Sequence, residues 1–116
     1  MVNKRPRRGE VWLASIPWDK HAPRPCLVIS DNEASAVNDV FLVVPIMTSA
    51  PPGQAHVPLR AGSGGVRHDS VLVCEEMVGL PGSFLSRGPL GPQVSVSVLK
   101  DVVRAIRLAI GDPTVN

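Results

Sequence analysis

His21 and Arg24 stand three residues apart across a short polar stretch, residues 18–23, that leads into an apolar run. Imidazole moves protons near neutral pH, and a guanidinium stabilises negative charge building on a phosphoryl oxygen. Both could face one concave site with a strand as its floor, although exposed loop histidines and arginines are also ordinary surface residues. Thr48 and Ser49 close the most apolar run of the chain just before Pro51-Pro52-Gly53. Their hydroxyls can reach a ligand phosphate or simply cap the turn. Glu75 and Glu76 fall late in a segment that reads as one strand, residues 70–78. Alternation would send the two carboxylates to opposite faces, so they do not form an acid/base dyad. A Glu76 sharing a face with Leu72 and Cys74 would sit close to the core and need a partner or a function.

The remaining reactive residue types carry less. His56 and His68 have no partner at metal-ligand spacing, so neither receives a role and no metal site is expected. Cys26 and Cys74 lie in apolar surroundings without CxxC or Cys/His spacing, which reads as two buried, reduced thiols. Trp12 reads as core; Trp18, at the start of the polar loop, either stacks on a base or covers the open end of a barrel. Neither a GxxxxGK[ST] phosphate loop nor a Ser/His/Asp or Cys/His nucleophile pattern is recognisable.

The elements that must position these groups are short. The chain has 116 residues and is 44% apolar, enough for one domain, residues 1–116, with a small core. Twelve prolines and ten glycines spread between short apolar runs read as a mainly β domain, with a compact barrel as the natural solution. Strands are expected over residues 10–16, 26–30, 40–48, 55–59 and 70–78. Arg24 is held extended by Pro25 at a loop-to-strand junction. One short helix of a turn or two is expected after the second strand, residues 31–36. Pro45 suggests a bulge or an exit in the third strand, and Pro58 makes residues 55–59 an edge. Leu99, Val102, Val103, Ile106, Ala109 and Ile110 recur at helical spacing, with Ser97 as N-cap and Gly111 and Pro113 as the stop. That C-terminal helix should pack on the sheet.

Net charge is +2, but four of the twelve cations lie in the basic arm of residues 1–8, and what remains carries a net charge of −2. Bulk charge therefore does not argue for nucleic-acid binding by the body of the domain. The arm itself reads as a solvated flap or a partner contact. No run approaches the roughly 18 apolar residues of a membrane span. The basic start lacks the apolar segment of a signal peptide, so a cytoplasmic location is expected.

Four segments, taken together, resemble the MazF/PemK (Kid) family of toxin endoribonucleases. Arg8-Gly9-Glu10-Val11-Trp12-Leu13 is similar to its RGEIWL opening, and Arg24-Pro25-Cys26-Leu27-Val28-Ile29-Ser30 to its RPxLVVS strand. Val43-Val44-Pro45-Ile46-Met47-Thr48-Ser49 resembles VVPITS, and Asp69-Ser70-Val71-Leu72-Val73-Cys74-Glu75-Glu76 resembles SVVxCDQ. The match runs in order over about residues 8–110. It implies an SH3-like, CcdB/PemK-like β-barrel with a C-terminal helix, a homodimer, and cofactor-free cleavage of single-stranded RNA. It also implies inhibition by a small acidic antitoxin of the MazE/PemI kind. By position, Arg24 matches the family's catalytic arginine and Thr48 its catalytic threonine, with Ser49 beside it. His21 falls where the Kid branch has a histidine, and Glu75 where it has an acid. Ser49, Trp18, Lys20 and Arg67 are the implied RNA-binding residues, on loops that would line the groove. Three positions depart from the pattern: Met47 is inserted before Thr48 and displaces it unless a bulge restores its direction. Val73 replaces an arginine used in acid catalysis, and Glu76 replaces a glutamine.

Metal-independent RNA cleavage needs a base to take the 2′-hydroxyl proton, a cation to stabilise the dianionic phosphorane, and an acid for the leaving 5′-oxygen. The implied assignment makes Arg24 the cation, Thr48 and Ser49 hydrogen-bond donors to phosphoryl oxygens, and His21 or Glu75 the base. Two alternatives stand beside it. CcdB toxins share the barrel and bind gyrase through the end of the C-terminal helix with a nearby tryptophan, whereas residues 109–116 here contain no aromatic residue. A degenerate family member, weakened by Val73 and Glu76, would keep the dimer and partner groove but cut poorly.

Overall fold

A computed structural model describes residues 5–115. Seven strands alternate with two α-helices and three short 3₁₀ turns, so the chain is mainly β with a C-terminal helix, as expected. The strands are β1 (Val11–Ala14), β2 (Arg24–Val28), β3 (Val40–Met47), β4 (His56–Leu59), β5 (Ser70–Val73), β6 (Val78–Pro81) and β7 (Leu85–Arg87). Their hydrogen-bonded order is β4-β5-β3-β2-β1-β7, with β6 also paired to β3. The path is open rather than closed into a full barrel: β4 and β7 end it, and Pro58 lies in the edge strand β4 as its missing N–H requires.

Strand alternation buries both faces of the middle of this sheet. Val11, Leu27, Val44, Ile46 and Leu72 face one core, closed by Val102 and Ala105 of the helix α2 (Val96–Ala109). Trp12, Ala14, Cys26, Val28, Phe41 and Val43 face a second core, closed by Ile16, Leu80 and Leu85. Cys26 and Cys74 are free and buried, one in each core, and burial pushes both thiols up to about 12. Apolar pairs of this size are what hold the sheet together, each fully buried Leu, Val or Phe contributing roughly 1.5–3 kcal/mol.

The segment expected as one strand over residues 70–78 is broken. β5 aligns Leu72 with Ile46, and β6 aligns Val78 with Val43, both antiparallel along the same edge of β3. The chain thus spends six steps where β3 advances three, and the surplus is looped out as the 3₁₀ turn Cys74–Glu76. Buried Cys74 anchors the turn, while Glu75 and Glu76 are carried out to solvent, so neither points at the core. Pro45, which has no N–H to donate, lies in the gap where β3 has left β6 and not yet met β5. No bulge follows it: Met47 pairs in register with Val71.

Three further expectations shift. The short helix is α1 (Asn32–Asn38), capped by Asp31, whose side chain accepts from the Ala34 N–H at 3.0 Å, and it ends on Asp39 in a left-handed conformation. The C-terminal helix starts earlier than the apolar pattern suggests: Ser95, just past buried Val94, is the N-cap, and Ser97 lies inside the first turn. Its packed stripe is also narrower, formed by Val98, Leu99, Val102, Ala105 and Ile106, whereas Val103, Ala109 and Ile110 are exposed. The described part of the basic arm is docked rather than free. Arg8 donates its main-chain N–H to Asn32 Oδ1 at 2.7 Å and its guanidinium to the Ile29 carbonyl. Arg5 reaches the Ser35 carbonyl at 3.2 Å; Lys4 lies outside the described residues.

The cap assignment is testable. Ser95→Ala should cost ~1 kcal/mol of unfolding free energy and Ser97→Ala less than about 0.5 kcal/mol, measured by urea denaturation.

Candidate active site

Arg24 opens β2, paired with Ala14 of β1. Extending the β2–β3 register, in which Cys26 faces Pro45, brings Arg24 level with Met47 and leaves Thr48 one step beyond. The candidate side chains Arg24 and Thr48 therefore come to one end of the central strands. The loop before Arg24 is organised by Asp19. Its main-chain N–H donates to the Ile16 carbonyl at 3.0 Å, its carbonyl accepts from Ala22 at 3.2 Å, and Oδ1 accepts from the His21 N–H at 2.8 Å. The same carboxylate grips Arg24 in a two-pronged pair, Nη2 to Oδ1 at 3.1 Å and Nε to Oδ2. Both side chains are largely shielded from solvent, at 17% and 13% exposure. The guanidinium hydrogen bond, helped by the His21 amide, holds the Asp19 carboxyl down at about 2, and the same bond raises Arg24. Two of the five guanidinium N–H groups are used, which leaves three for a ligand.

Arg24 lines two clefts. The smaller, about 330 Å³, also contains Trp18, Asp19, Lys20, His21 and Glu76. The larger, about 470 Å³, contains Thr48, Arg67, His68 and Arg87 over a floor that includes Leu13, Pro25 and Ile46. The insertion at Met47 has not removed Thr48 from Arg24: both line the larger cleft, and Met47 lines each. Trp18 is 70% exposed and covers no core, so its ring is free to stack.

Not every sequence candidate converges here. Ser49 is exposed just beyond Thr48 and lines neither cleft. Glu75 turns away: its Oε2 meets His56 Nε2 at 2.8 Å, and His56 Nδ1 meets the Pro51 carbonyl. The Glu75 contact, with that carbonyl second, raises the His56 pKa. Of the two adjacent glutamates it is Glu76, carried there by the looped-out turn, that shares a cleft with Arg24, and its charge joins that of Asp19 in favouring the guanidinium. Val73 is buried. Sequence reasoning missed Asp19, His68 and Arg87 as site residues. Asp19 sits two residues before His21 and was legible as a loop cap; Arg87 reaches the cleft only because β7 pairs with Leu13, which no local pattern announces. Among the described residues, no group of three His, Cys, Asp or Glu is placed to hold a metal ion. A further groove, about 620 Å³, follows the outer face of α2 past Lys100, Arg104 and Arg107. Among the described residues that line it there is no histidine, aspartate or glutamate to move a proton, so the candidate chemistry is placed at the strand ends.

A sequence profile described as PemK-like, MazF-like toxin of type II toxin-antitoxin system matches residues 7–110. The chain belongs to this family. Solved structures agree on the fold. The chain is similar to MazF from Deinococcus radiodurans, with a TM-score of 0.78 and 23% identity over 94% of this chain and 99% of that one. It is similar also to an endoribonuclease in complex with its cognate antitoxin from a mycobacterial species, with a TM-score of 0.77 and 19% identity over 93% and 97%. A third is the Mycobacterium tuberculosis toxin MazF-mt6, with a TM-score of 0.71 and 23% identity over 87% and 95%. Arg24 and Thr48, the two positions singled out by resemblance in the sequence, both line the larger cleft. Among the described residues, no helix is long and apolar enough to cross a membrane.

The Asp19–Arg24 pair makes a pH prediction. Because the folded-state pKa of Asp19 lies below its ordinary 3.8, at about 2, its contribution is present above 3.8 and is lost as pH falls toward 2. Asp19→Asn should therefore be less stable than wild type at pH 7, with the gap narrowing between pH 3.8 and 2 in denaturation curves taken across that range. A gap that stays constant would disprove the linkage.

Proposed function

We propose that this chain is a sequence-specific endoribonuclease toxin that cuts single-stranded RNA by attack of a 2′-hydroxyl on the adjacent phosphorus. The observation that carries the reading is that Arg24 and Thr48 line one cleft, and that His21 lines a second cleft which Arg24 also borders. A phosphodiester spanning Arg24 receives its three free N–H groups and the Thr48 hydroxyl. The phosphorane carries one more negative charge than the ground state, so these donors hold the transition state more strongly than the substrate, which is what accelerates the step. His21, in its neutral form, takes the 2′-hydroxyl proton. Glu75 is set aside as the base because His56 occupies its carboxylate. The products are a 2′,3′-cyclic phosphate and a 5′-hydroxyl.

Trp18 and Lys20 flank the strand on one side, and Arg67 with Arg87 on the other, so RNA is bound through stacking and phosphate contacts on both sides of the scissile bond. Ser49, just outside the cleft, is a contact for an adjoining nucleotide. The partners are a second copy of the chain and an acidic antitoxin whose carboxylates compete for the same cations. The reaction takes place in the cytoplasm, where such RNA is found. The gyrase-binding alternative draws no support from the family match.

Arg24→Ala should lower RNA cleavage in EDTA by ~10²–10³-fold, about 3–4 kcal/mol of barrier, while circular dichroism stays native. Retention of wild-type cutting by that variant would remove the site. A gyrase supercoiling assay run beside it should show no inhibition.

A further inference from the structure

We propose that His68 is the general acid that protonates the leaving 5′-oxygen, working from the opposite side of Arg24 to His21. The inference rests on the RNA-cleaving reading above and adds to it the role that Val73 leaves without an occupant.

An in-line displacement puts the attacking and leaving oxygens on opposite sides of phosphorus, so base and acid must approach from opposite sides too. The protein meets that requirement around one cation. His21 lies in the smaller cleft, His68 in the larger, and Arg24 is common to both. Within the larger cleft, His68 is the group whose side-chain type exchanges a proton near neutrality; Arg67 and Arg87 hold theirs too tightly to give them up. The other histidine, His56, is turned away against Glu75 and the Pro51 carbonyl. A phosphate seated on Arg24 and Thr48 is therefore within the cleft His68 lines.

The loop that carries His68 is built to hold it. The His68 carbonyl accepts from Ser70 Oγ at 2.8 Å, and the next residue, Asp69, accepts the Ala61 N–H at 2.9 Å. Gly62 closes the loop on the Val66 carbonyl at 2.7 Å. Gly65, at φ +92°, lets the loop press against Leu90 and Gly91, where any Cβ would collide with backbone. The imidazole itself is exposed to the cleft, as a group that must meet substrate has to be.

The step balances. The 2′-oxygen–phosphorus bond forms as the phosphorus–5′-oxygen bond breaks; neutral His21 gains the 2′-hydroxyl proton, and protonated His68 gives its proton to the 5′-oxygen. Exchange with water restores both imidazoles. The arrangement also sets polarity: the nucleotide that supplies the 2′-hydroxyl lies on the Trp18 side, and the nucleotide released with a 5′-hydroxyl lies on the Arg67 and Arg87 side.

The test uses two oligoribonucleotides containing a mapped cut site, one natural and one with sulfur replacing the bridging 5′-oxygen at the scissile bond. A thiolate leaves without protonation, so only loss of the general acid is rescued by it. Single-turnover cleavage by His68→Gln should fall ~10²–10⁴-fold on the natural RNA and return close to the wild-type rate on the sulfur substrate. His21→Gln should be impaired on both. Equal loss on both substrates, or undiminished cutting of the natural one by His68→Gln, would overturn the proposal. If Arg24→Ala shows its expected loss in that same experiment, the RNA-cleaving site survives that failure; if Arg24→Ala cuts normally, the site itself is wrong.

Discussion

The structure depends on one strand being shared. Val40–Met47 is paired along one edge by β2 and along the other first by β6 and then by β5, so it belongs to every part of the sheet at once. The handover from β6 to β5 leaves Val44 and Pro45 as a gap in the ladder, and one of the two is the proline, which has no donor to leave unsatisfied. Opposite the gap the chain carries three surplus residues, and these throw Glu76 toward Arg24 and Glu75 toward His56. A local defect in hydrogen bonding thus decides which of two adjacent carboxylates faces the cleft. Alternation along a continuous strand would have separated them by face; a tight turn separates them by direction.

Arg24 stands at the end of this shared framework, and its charge is partly answered before any ligand arrives. Asp19 offsets the cation and fixes its plane, and Glu76 adds a second negative charge nearby. In the proposed reaction this weakens ground-state attraction for RNA but does not remove the catalytic advantage, because rate depends on how much more strongly the site holds the phosphorane than the diester. A guanidinium held by two hydrogen bonds needs no reorientation when the extra charge develops, and preorganisation of that kind is where most electrostatic catalysis resides. In the proposed reaction the pair trades affinity for geometry, with Lys20, Arg67, Arg87 and the Trp18 ring, which line the same two clefts, as the groups that would recover it.

Much of this was legible in the residues. The strands around Val11, Leu27 and Val44 follow from apolar alternation between glycine and proline breaks, and Arg24 was placed at its loop-to-strand junction by Pro25 alone. The thiols were read as buried from their neighbours. What failed had a tertiary cause. The run of residues 70–78 has strand character throughout, and only its pairing with two halves of β3 forces the turn at Cys74–Glu76. Ser95 and Ser97 are chemically equal as caps; the choice falls to Ser95 because Val94 is buried ahead of it. Val103 and Ile110 fit a helical stripe by spacing, yet they stay exposed while Val102 and Ala105 face the core. At the site, Arg24 and Thr48 were recognisable by resemblance, whereas Arg87 and His68 arrive from elements whose neighbours the sequence does not name.

Charge distribution reconciles a nearly neutral chain with a polyanionic substrate. Outside residues 1–8 the chain holds eight cations, and four of them, Lys20, Arg24, Arg67 and Arg87, line the two clefts. Three more, Lys100, Arg104 and Arg107, lie along α2 on a different surface. The body therefore has a net negative charge while presenting two positive faces, and the field an approaching anion meets is set by the nearer face, since screening removes contributions beyond roughly 8 Å at physiological salt. A guanidinium that accepts a phosphate accepts a carboxylate with the same forked geometry. In the proposed reaction an acidic segment that engages Arg24 and its neighbours displaces RNA, so the cation proposed to stabilise the phosphorane is also one through which a protein partner would silence the cleft.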